Sequence, residues 1–142
     1  MQSIIDHIEI TVKDLEKTVS FYDLFFPLLG FSLEKKTSVY IASHDKHVVE
    51  YSHPNLCIAL TSPRESLKED TVHRRRPGAL HHLAFKAESR KEVDGVYSKL
   101  VEMNADIVSA PRMYPEYHES YYAVFFKAPD GIKFEVVCQR VE

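Results

Sequence analysis

The sequence predicts an α+β fold: two βαβββ modules in one chain, their sheets forming a curved mixed surface around a cleft. Three observations carry this. Stretches of strict apolar/polar alternation are followed by stretches of helical spacing. A polar, proline-bounded segment at 62–78 divides the chain near its middle. The halves on either side also match at one offset: His82 lies 75 residues after His7, and Tyr97 lies 75 after Tyr22. The expected boundaries are module one at 1–61, a connection at 62–78 and module two at 79–142.

The first strand is read over 4–12, I-I-D-H-I-E-I-T-V. Ile8, Ile10 and Val12 fall on one face and His7, Glu9 and Thr11 on the other. Asp14 then offers an N-cap oxygen, and Leu15, Val19, Tyr22, Phe26 and Leu29 recur at helical spacing. Pro27 ends or bends this helix, and Gly30 is its natural stop. Residues 31–33, 39–42, 48–51 and 56–61 are short strand candidates, with 44–47 a turn between two of them. After the 62–78 connection, residues 80–87 alternate as a strand. Ser89 and Glu92 form a capping box, and Val93, Val96, Tyr97 and Leu100 follow at helical spacing. Strands are expected at 107–111, 121–127 and 133–139, with Ala128–Gly131 as the turn of the last hairpin.

Composition narrows the class of function. The chain has 142 residues, 44% hydrophobic and 27% charged, near the globular average. A chain of this size buries roughly two-thirds of its unfolded surface. This excludes a disordered tail, a fibrous repeat and a small disulfide scaffold. No run approaches the ~18 apolar residues of a membrane helix, and residues 1–6 lack the features of a secretory signal. A net charge of −3 points away from nucleic acid or an anionic membrane as partner. Cys57 and Cys138 lie in apolar runs and read as buried thiols. A cytoplasmic setting is the default expectation.

Eight histidines, at 7, 44, 47, 53, 73, 81, 82 and 118, are many for this length. By alternation, His7 lies on the polar face of the first strand and His82 holds the matching place in the second half. Glu135 lies on the last strand, sharing a face with Lys133 and Val137. Each projects from the sheet face away from the helices. Any one alone reads more simply as a polar surface residue. At matched strand positions, two neutral imidazoles and a carboxylate suit a divalent ion such as zinc, iron, nickel or manganese. Three protein ligands leave positions open for water or substrate, the catalytic pattern.

The chain resembles the vicinal-oxygen-chelate superfamily, which includes glyoxalase I, extradiol dioxygenases, fosfomycin-resistance and bleomycin-resistance proteins. The matching pieces are Asp6-His7-Ile8 with Asp14-Leu15-Glu16-Lys17, then Phe21-Tyr22 and Leu29-Gly30-Phe31. In the second half they are His82-Leu83-Ala84-Phe85 and Pro129-Asp130-Gly131-Ile132-Lys133-Phe134-Glu135. The resemblance covers nearly the whole chain. It implies the paired βαβββ fold and a metal held by His7, His82 and Glu135. In glyoxalase I a fourth ligand comes from the last strand of the first half. The 75-residue offset places that position at Leu60, beside Ile58 and Ala59, so an acidic ligand is missing there. The two-histidine, one-carboxylate set is similar to that of the dioxygenases and fosfomycin-resistance enzymes, although extradiol dioxygenases are generally longer chains.

Around the expected metal, Glu9 reads as a general base or a rim carboxylate, and Thr11 as a cleft hydroxyl. Tyr121, Ala123 and Phe125 share a strand face turned towards Glu135. Tyr121 is there as a substrate-contacting hydroxyl or, with Phe125, as an aromatic wall. In the 112–120 segment, Arg112 is a candidate for an anionic substrate end and His118 for a proton shuttle, each against the simpler reading of a solvated loop residue. His81 is expected to point away from the metal face. His44, His47, His53 and His73 fall in turns and the connection, without a role. The Arg74–Arg76 run reads as a solvated loop. The resemblance implies a lyase or isomerase acting on a small oxygenated substrate that chelates one divalent metal ion. The alternatives are an extradiol-type dioxygenase with iron, or a bleomycin-resistance-type protein that only binds a ligand. Family members of this length are commonly homodimers, and the resemblance implies one here.

Overall fold

The computed structural model describes residues 5–141. Ile4, counted above in the first strand, and Glu142, at the end of module two, lie outside the described residues. The chain divides into two compact units, Met1–Thr71 and Val72–Glu142, with the division inside the 62–78 segment.

The first unit is built from β1 (His7–Thr11), α1 (Leu15–Phe25), β2 (Ser32–Ile41), β3 (Lys46–His53) and β4 (Leu56–Thr61). The Asp14 side chain accepts the Lys17 amide at 3.0 Å and so caps α1. The α-helix gives way to a 3-10 turn at Phe26–Leu29, since Pro27 has no amide hydrogen to donate to the Asp23 carbonyl. Gly30 then reverses the chain at a φ of 88°, where an added Cβ would lie 3.3 Å from the His53 ring. The sheet order is β1-β4-β3-β2, with β1 parallel to β4 and the remaining pairs antiparallel. Tyr22, Phe25 and Phe26 are wholly buried beneath α1. Phe26 packs on Tyr22, Phe31 and Tyr51 at ring separations of 4.5, 4.7 and 4.9 Å. Such rings bury ~150–250 Å² each and dominate a core of this size.

Two sequence expectations for this unit change. The candidates at 31–33 and 39–42 are parts of one strand, β2, whose register on β3 shifts between Ser32 and Thr37. This strand forms the sheet edge, where the charged residues Glu34 and Lys35 remain exposed and look loop-like in sequence. The 44–47 turn is also shorter. Asp45, at a φ of 49°, makes the reversal, and Lys46 and His47 already belong to β3.

The second unit repeats the plan with β5 (Leu83–Lys86), α2 (Arg90–Glu102), β6 (Asp106–Met113), β7 (Tyr122–Lys127) and β8 (Lys133–Cys138). Its order is β5-β8-β7-β6, with β5 parallel to β8. Ser89 accepts the Glu92 amide at 3.2 Å. The Glu92 carboxylate reaches back to the Glu88 amide at 2.7 Å, one residue before the cap. Val93, Val96 and Leu100 of α2 are buried, and Phe126 and Phe134 stack beneath at 5.7 Å. β5 starts later than the expected 80–87 strand. Turn hydrogen bonds from Arg76 to His73 and from Ala79 to Arg76 occupy the chain before it. His82 therefore sits at the mouth of β5, not within it.

The last hairpin corrects the Leu60 assignment. Paired Ser52 and Cys57 enclose four residues, whereas paired Lys127 and Lys133 enclose five. Gly131, at a φ of 87°, donates to Ala128, and Ala128 donates to Ile132 within that longer turn. The offset between halves therefore grows from 75 to 76 after it. Glu9 pairs with Ala59 in the first sheet, and Ala84 pairs with Glu135 in the second. The counterpart of Glu135 is Ala59, and the absence of an acid there stands. Among the described residues, no helix is long and apolar enough to cross a membrane.

Candidate functional site

In the second unit, Ala84, Glu135 and Phe125 are register partners across β5, β8 and β7 and share the face away from α2. Glu135 is 1% exposed. A carboxylate so buried requires polar partners, and it has two. The Tyr121 hydroxyl donates to Oε1 at 2.5 Å, and Nε2 of His82 lies 3.1 Å from Oε2. Burial, and then the hydrogen bond and charge of Glu135, push the Tyr121 phenol well above its ordinary range. Tyr121 therefore stays a neutral donor that fixes the carboxylate.

His82 is held from its other side. Its Nδ1 lies 2.7 Å from Nδ1 of His81, so one ring donates to the other. This overturns the expectation that His81 points away: both rings precede β5, where strand alternation no longer applies. Burial holds the His81 pKa down, aided by the charges of His82, Lys133, Arg74 and Arg75. The wall beside the pair is aromatic. Phe125 meets the His82 ring edge-on at 6.0 Å and Tyr114 at 5.2 Å, and both rings belong to a buried cluster with Ala123 and Val137. Tyr114 and Lys133 were not among the sequence candidates. Lys133 shares the Glu135 face of β8, and its Nζ lies 4.4 Å from the Phe125 ring centre.

His7, Glu9 and Thr11 lie on the corresponding face of the first unit, in register with Cys57, Ala59 and Thr61. Nδ1 of His7 is 2.7 Å from the Asp6 carboxylate, which raises the imidazole pKa through that hydrogen bond and its charge. Glu9 is ion-paired to Lys46. Glu50 pairs with Ala59 and so joins this face. Its charge is felt by His7 and by Cys57, whose thiol burial and then Glu50 push up to about 11. The signal for Glu50 was available: alternation through 48–51 places it opposite Val49 and Tyr51.

The remaining candidates lie elsewhere. Arg112 covers the Tyr114 ring at 3.7 Å, donates to the Met113 carbonyl at 3.0 Å and lies 3.5 Å from Glu116. His118 is exposed, and its Nδ1 accepts the Ser120 amide at 3.2 Å, which shapes the loop before β7. His47, expected in a turn, packs at a tilt against Tyr40 from within β3, with ring centres 4.7 Å apart.

The site can be tested for its fit to a metal by its donors. His82 and Glu135 present an imidazole nitrogen and a carboxylate oxygen side by side, a pair suited to a divalent first-row ion. His81 and Tyr121 supply the outer hydrogen bonds that orient such ligands. The second unit thus fits two ligands of a metal site. Among the described residues, no three His, Cys, Asp or Glu side chains gather at one point.

Known proteins are similar to this chain in sequence or in structure. The uncharacterized protein YqjT of Bacillus subtilis is 33% identical over 131 residues, spanning 92% of this chain and 95% of that protein. The 2,2',3-trihydroxybiphenyl dioxygenase of Sphingomonas paucimobilis is 26% identical over 130 residues, 92% of this chain but 39% of that enzyme. The crystal structure of a candidate glyoxalase from Bacillus halodurans superposes with a TM-score of 0.76 at 30% identity, covering 96% of each chain. The fosfomycin resistance protein FosX of Listeria monocytogenes, crystallised with Mn(II) and sulfate, shares the fold at 20% identity, with a TM-score of 0.65 over 99% of this chain and 96% of its own. The sequence profile of one family matches residues 4–136, and with it the two modules and the strand ends that carry His7, His82 and Glu135: this chain belongs to the glyoxalase/bleomycin resistance protein/dioxygenase superfamily.

Proposed function

We propose that this protein is a metal-dependent lyase or isomerase acting on a small oxygenated substrate, with His7, His82 and Glu135 as the metal ligands. The observation that carries this reading is the His82–Glu135 pair: a carboxylate 1% exposed, 3.1 Å from an imidazole nitrogen and fixed by Tyr121. A carboxylate held this way outside a functional site is costly to keep. When bound, a divalent ion supplies Lewis-acid stabilisation of negative charge developing on substrate oxygens. Zinc, nickel, manganese and iron all suit these donors, and the FosX structure holds manganese.

The chain's own residues do the rest. Tyr121 orients Glu135, and His81 orients His82. Phe125 and Tyr114 exclude water beside them. The proton is moved by a carboxylate of the first unit. Glu9 and Glu50 both share the face of His7, but Lys46 neutralises Glu9, which leaves Glu50 the more available base. A cytoplasmic setting accords with the free thiols of Cys57 and Cys138, and a homodimer is the proposed assembly. His7 comes from the same chain or from a second copy of it.

The test is metal content in protein purified without chelator or affinity metal, measured beside His82→Ala. Near one equivalent of zinc, nickel or manganese, lost in the variant, is the expected result. Iron would favour the dioxygenase reading, to which the trihydroxybiphenyl dioxygenase relative lends weight. No metal, and none taken up on titration, would leave a ligand-binding protein.

A further inference from the structure

A pocket of about 450 Å³ opens in the first unit, away from the face that holds His7. That volume lies in the ~300–1,000 Å³ range of small-molecule sites. Its aromatic wall is Tyr40 and His47, register partners on β2 and β3. Their ring centres are 4.7 Å apart and their planes are inclined at 41°. By alternation His47 stands on the face of buried Val49 and Tyr51. Glu50 and, across β4, Glu9 occupy the other face. Asp45, in the turn between β2 and β3, extends the aromatic wall: its Oδ1 accepts the Tyr40 hydroxyl at 2.8 Å. The chain after β4 forms the facing wall. The His47 amide donates to the Ser62 Oγ, and the Ser62 amide donates to the His47 carbonyl, each at 2.9 Å. That segment is thereby tied to β3.

The charges of this pocket leave one carboxylate over. Lys13 is ion-paired to Glu69 at 2.8 Å, and Lys68 is ion-paired to Glu65. Asp45 has the Tyr40 hydroxyl and, among the described residues, no cation. A lone exposed carboxylate is served by water and signals nothing. Asp45 differs in its setting, because the phenol orients it beside two rings in a concave surface. The hydrogen bond and charge of Asp45 hold the Tyr40 phenol above its ordinary range, so the phenol stays a neutral donor. Tyr40 is 50% exposed, which leaves its ring open to a ligand. Aromatic faces attract cations through the ring quadrupole, and rings beside a carboxylate suit an organic ammonium. An anion would have to displace Glu65 or Glu69 from its lysine, and would meet Asp45 there.

We propose that this pocket is a second ligand site, which binds a small organic ammonium: its charge pairs with Asp45 and its carbons lie on Tyr40 and His47. The site is separate from the proposed metal chemistry and shares no ligand or base with it. It also gives His47, read from sequence as a turn residue without a role, a place in a binding wall.

The experiment is a titration of the full-length protein with tetramethylammonium chloride and, separately, with butylammonium chloride. Ionic strength is held constant, and amide chemical shifts are followed. Saturable shifts are expected at Tyr40, Asp45, His47 and Ser62. Asp45→Asn keeps a residue that tolerates the left-handed turn at a φ of 49°. It is expected to weaken binding about fivefold, the upper end for an exposed charge pair. Tyr40→Leu is expected to weaken it about threefold, the worth of an exposed cation–ring contact. Lys99→Gln, in α2, leaves it unchanged. Binding of either cation supports the proposal, and the tighter of the two identifies the ligand as a quaternary or a primary ammonium. Shifts that do not saturate, that map elsewhere, or that are unchanged in a folded Asp45→Asn would overturn it. So would saturable shifts at Lys13 and Lys68 with sodium acetate and none with either cation.

Discussion

The two units share a topology and almost reverse their chemistry. On the site face of the second, the β8 position carries an acid, Glu135, and its β7 partner an aromatic ring, Phe125. On the same face of the first, the β4 position carries a methyl, Ala59, and its β3 partner an acid, Glu50. The surroundings follow suit. Glu135 is locked beneath Tyr121, whereas Glu50 and Glu9 are exposed. The His82 side chain is 32% exposed and the His7 side chain 60%. A repeated scaffold supplies equivalent backbone positions, and side-chain size decides which becomes rigid. An acid under rings is immobile and suited to holding an ion. An acid beside a methyl stays open to solvent and is suited to carrying a proton.

The sharpest way to break this contrast is Glu135→Ala. Metal affinity should fall by more than the ~10–100-fold that losing an outer-shell partner costs, as read by titration with manganese. Ala59→Glu in the same protein should not restore it. Next, Glu50→Gln should lower turnover by ~10²–10⁴-fold, the usual worth of a positioned base, and leave metal content unchanged. The same variant removes a charge that raises the Cys57 pKa, so alkylation of Cys57 at fixed pH should quicken while burial still keeps it slow. A Glu50 variant with full activity would return the role of base to Glu9.

Tyr121→Phe tests the locking of Glu135. It leaves Oε1 without its donor, which should weaken metal binding by ~10–100-fold. Unfolding stability should fall by ~1–3 kcal/mol, the cost of an unsatisfied buried group. The smallest effect belongs to Asp6→Asn. Asp6 raises the His7 pKa, so the variant should return the imidazole towards ~6.5 in an NMR titration. A raised pKa stabilises the protein below that unfolded value and ceases to do so as pH rises through the folded one. The variant should therefore lose a little stability in acid and none above neutrality.

Much of this was legible in the residues themselves. Alternation placed His7, Glu9 and Thr11 together, and the spacing of Leu15, Val19 and Tyr22 announced α1. Hairpin parity put Tyr121 and Phe125 on the Glu135 side, where the first makes its hydrogen bond. What escaped lies where periodicity lapses. His81 precedes β5, in a segment whose conformation is set by turns around Pro77 and Gly78. Its approach to His82 depends on the tertiary path of that segment. Leu60 was chosen in place of Ala59 because a constant offset cannot register an extra turn residue. Tyr114 carried no period at all, lying just beyond the end of β6.

That extra residue makes the β7–β8 turn behave as the reading frame of the site. Paired residues face the same way, so the turn length alone decides which side chains of β8 stand opposite Phe125. Deleting one residue between Ala128 and Ile132 would exchange the two faces of the strand. Phe134 and Val136 would then stand opposite Phe125, and Glu135 would be driven into the hydrocarbon under α2. A change of one residue in this turn is a change of polarity for a whole strand, and the turn is as much a part of this face as the carboxylate it positions.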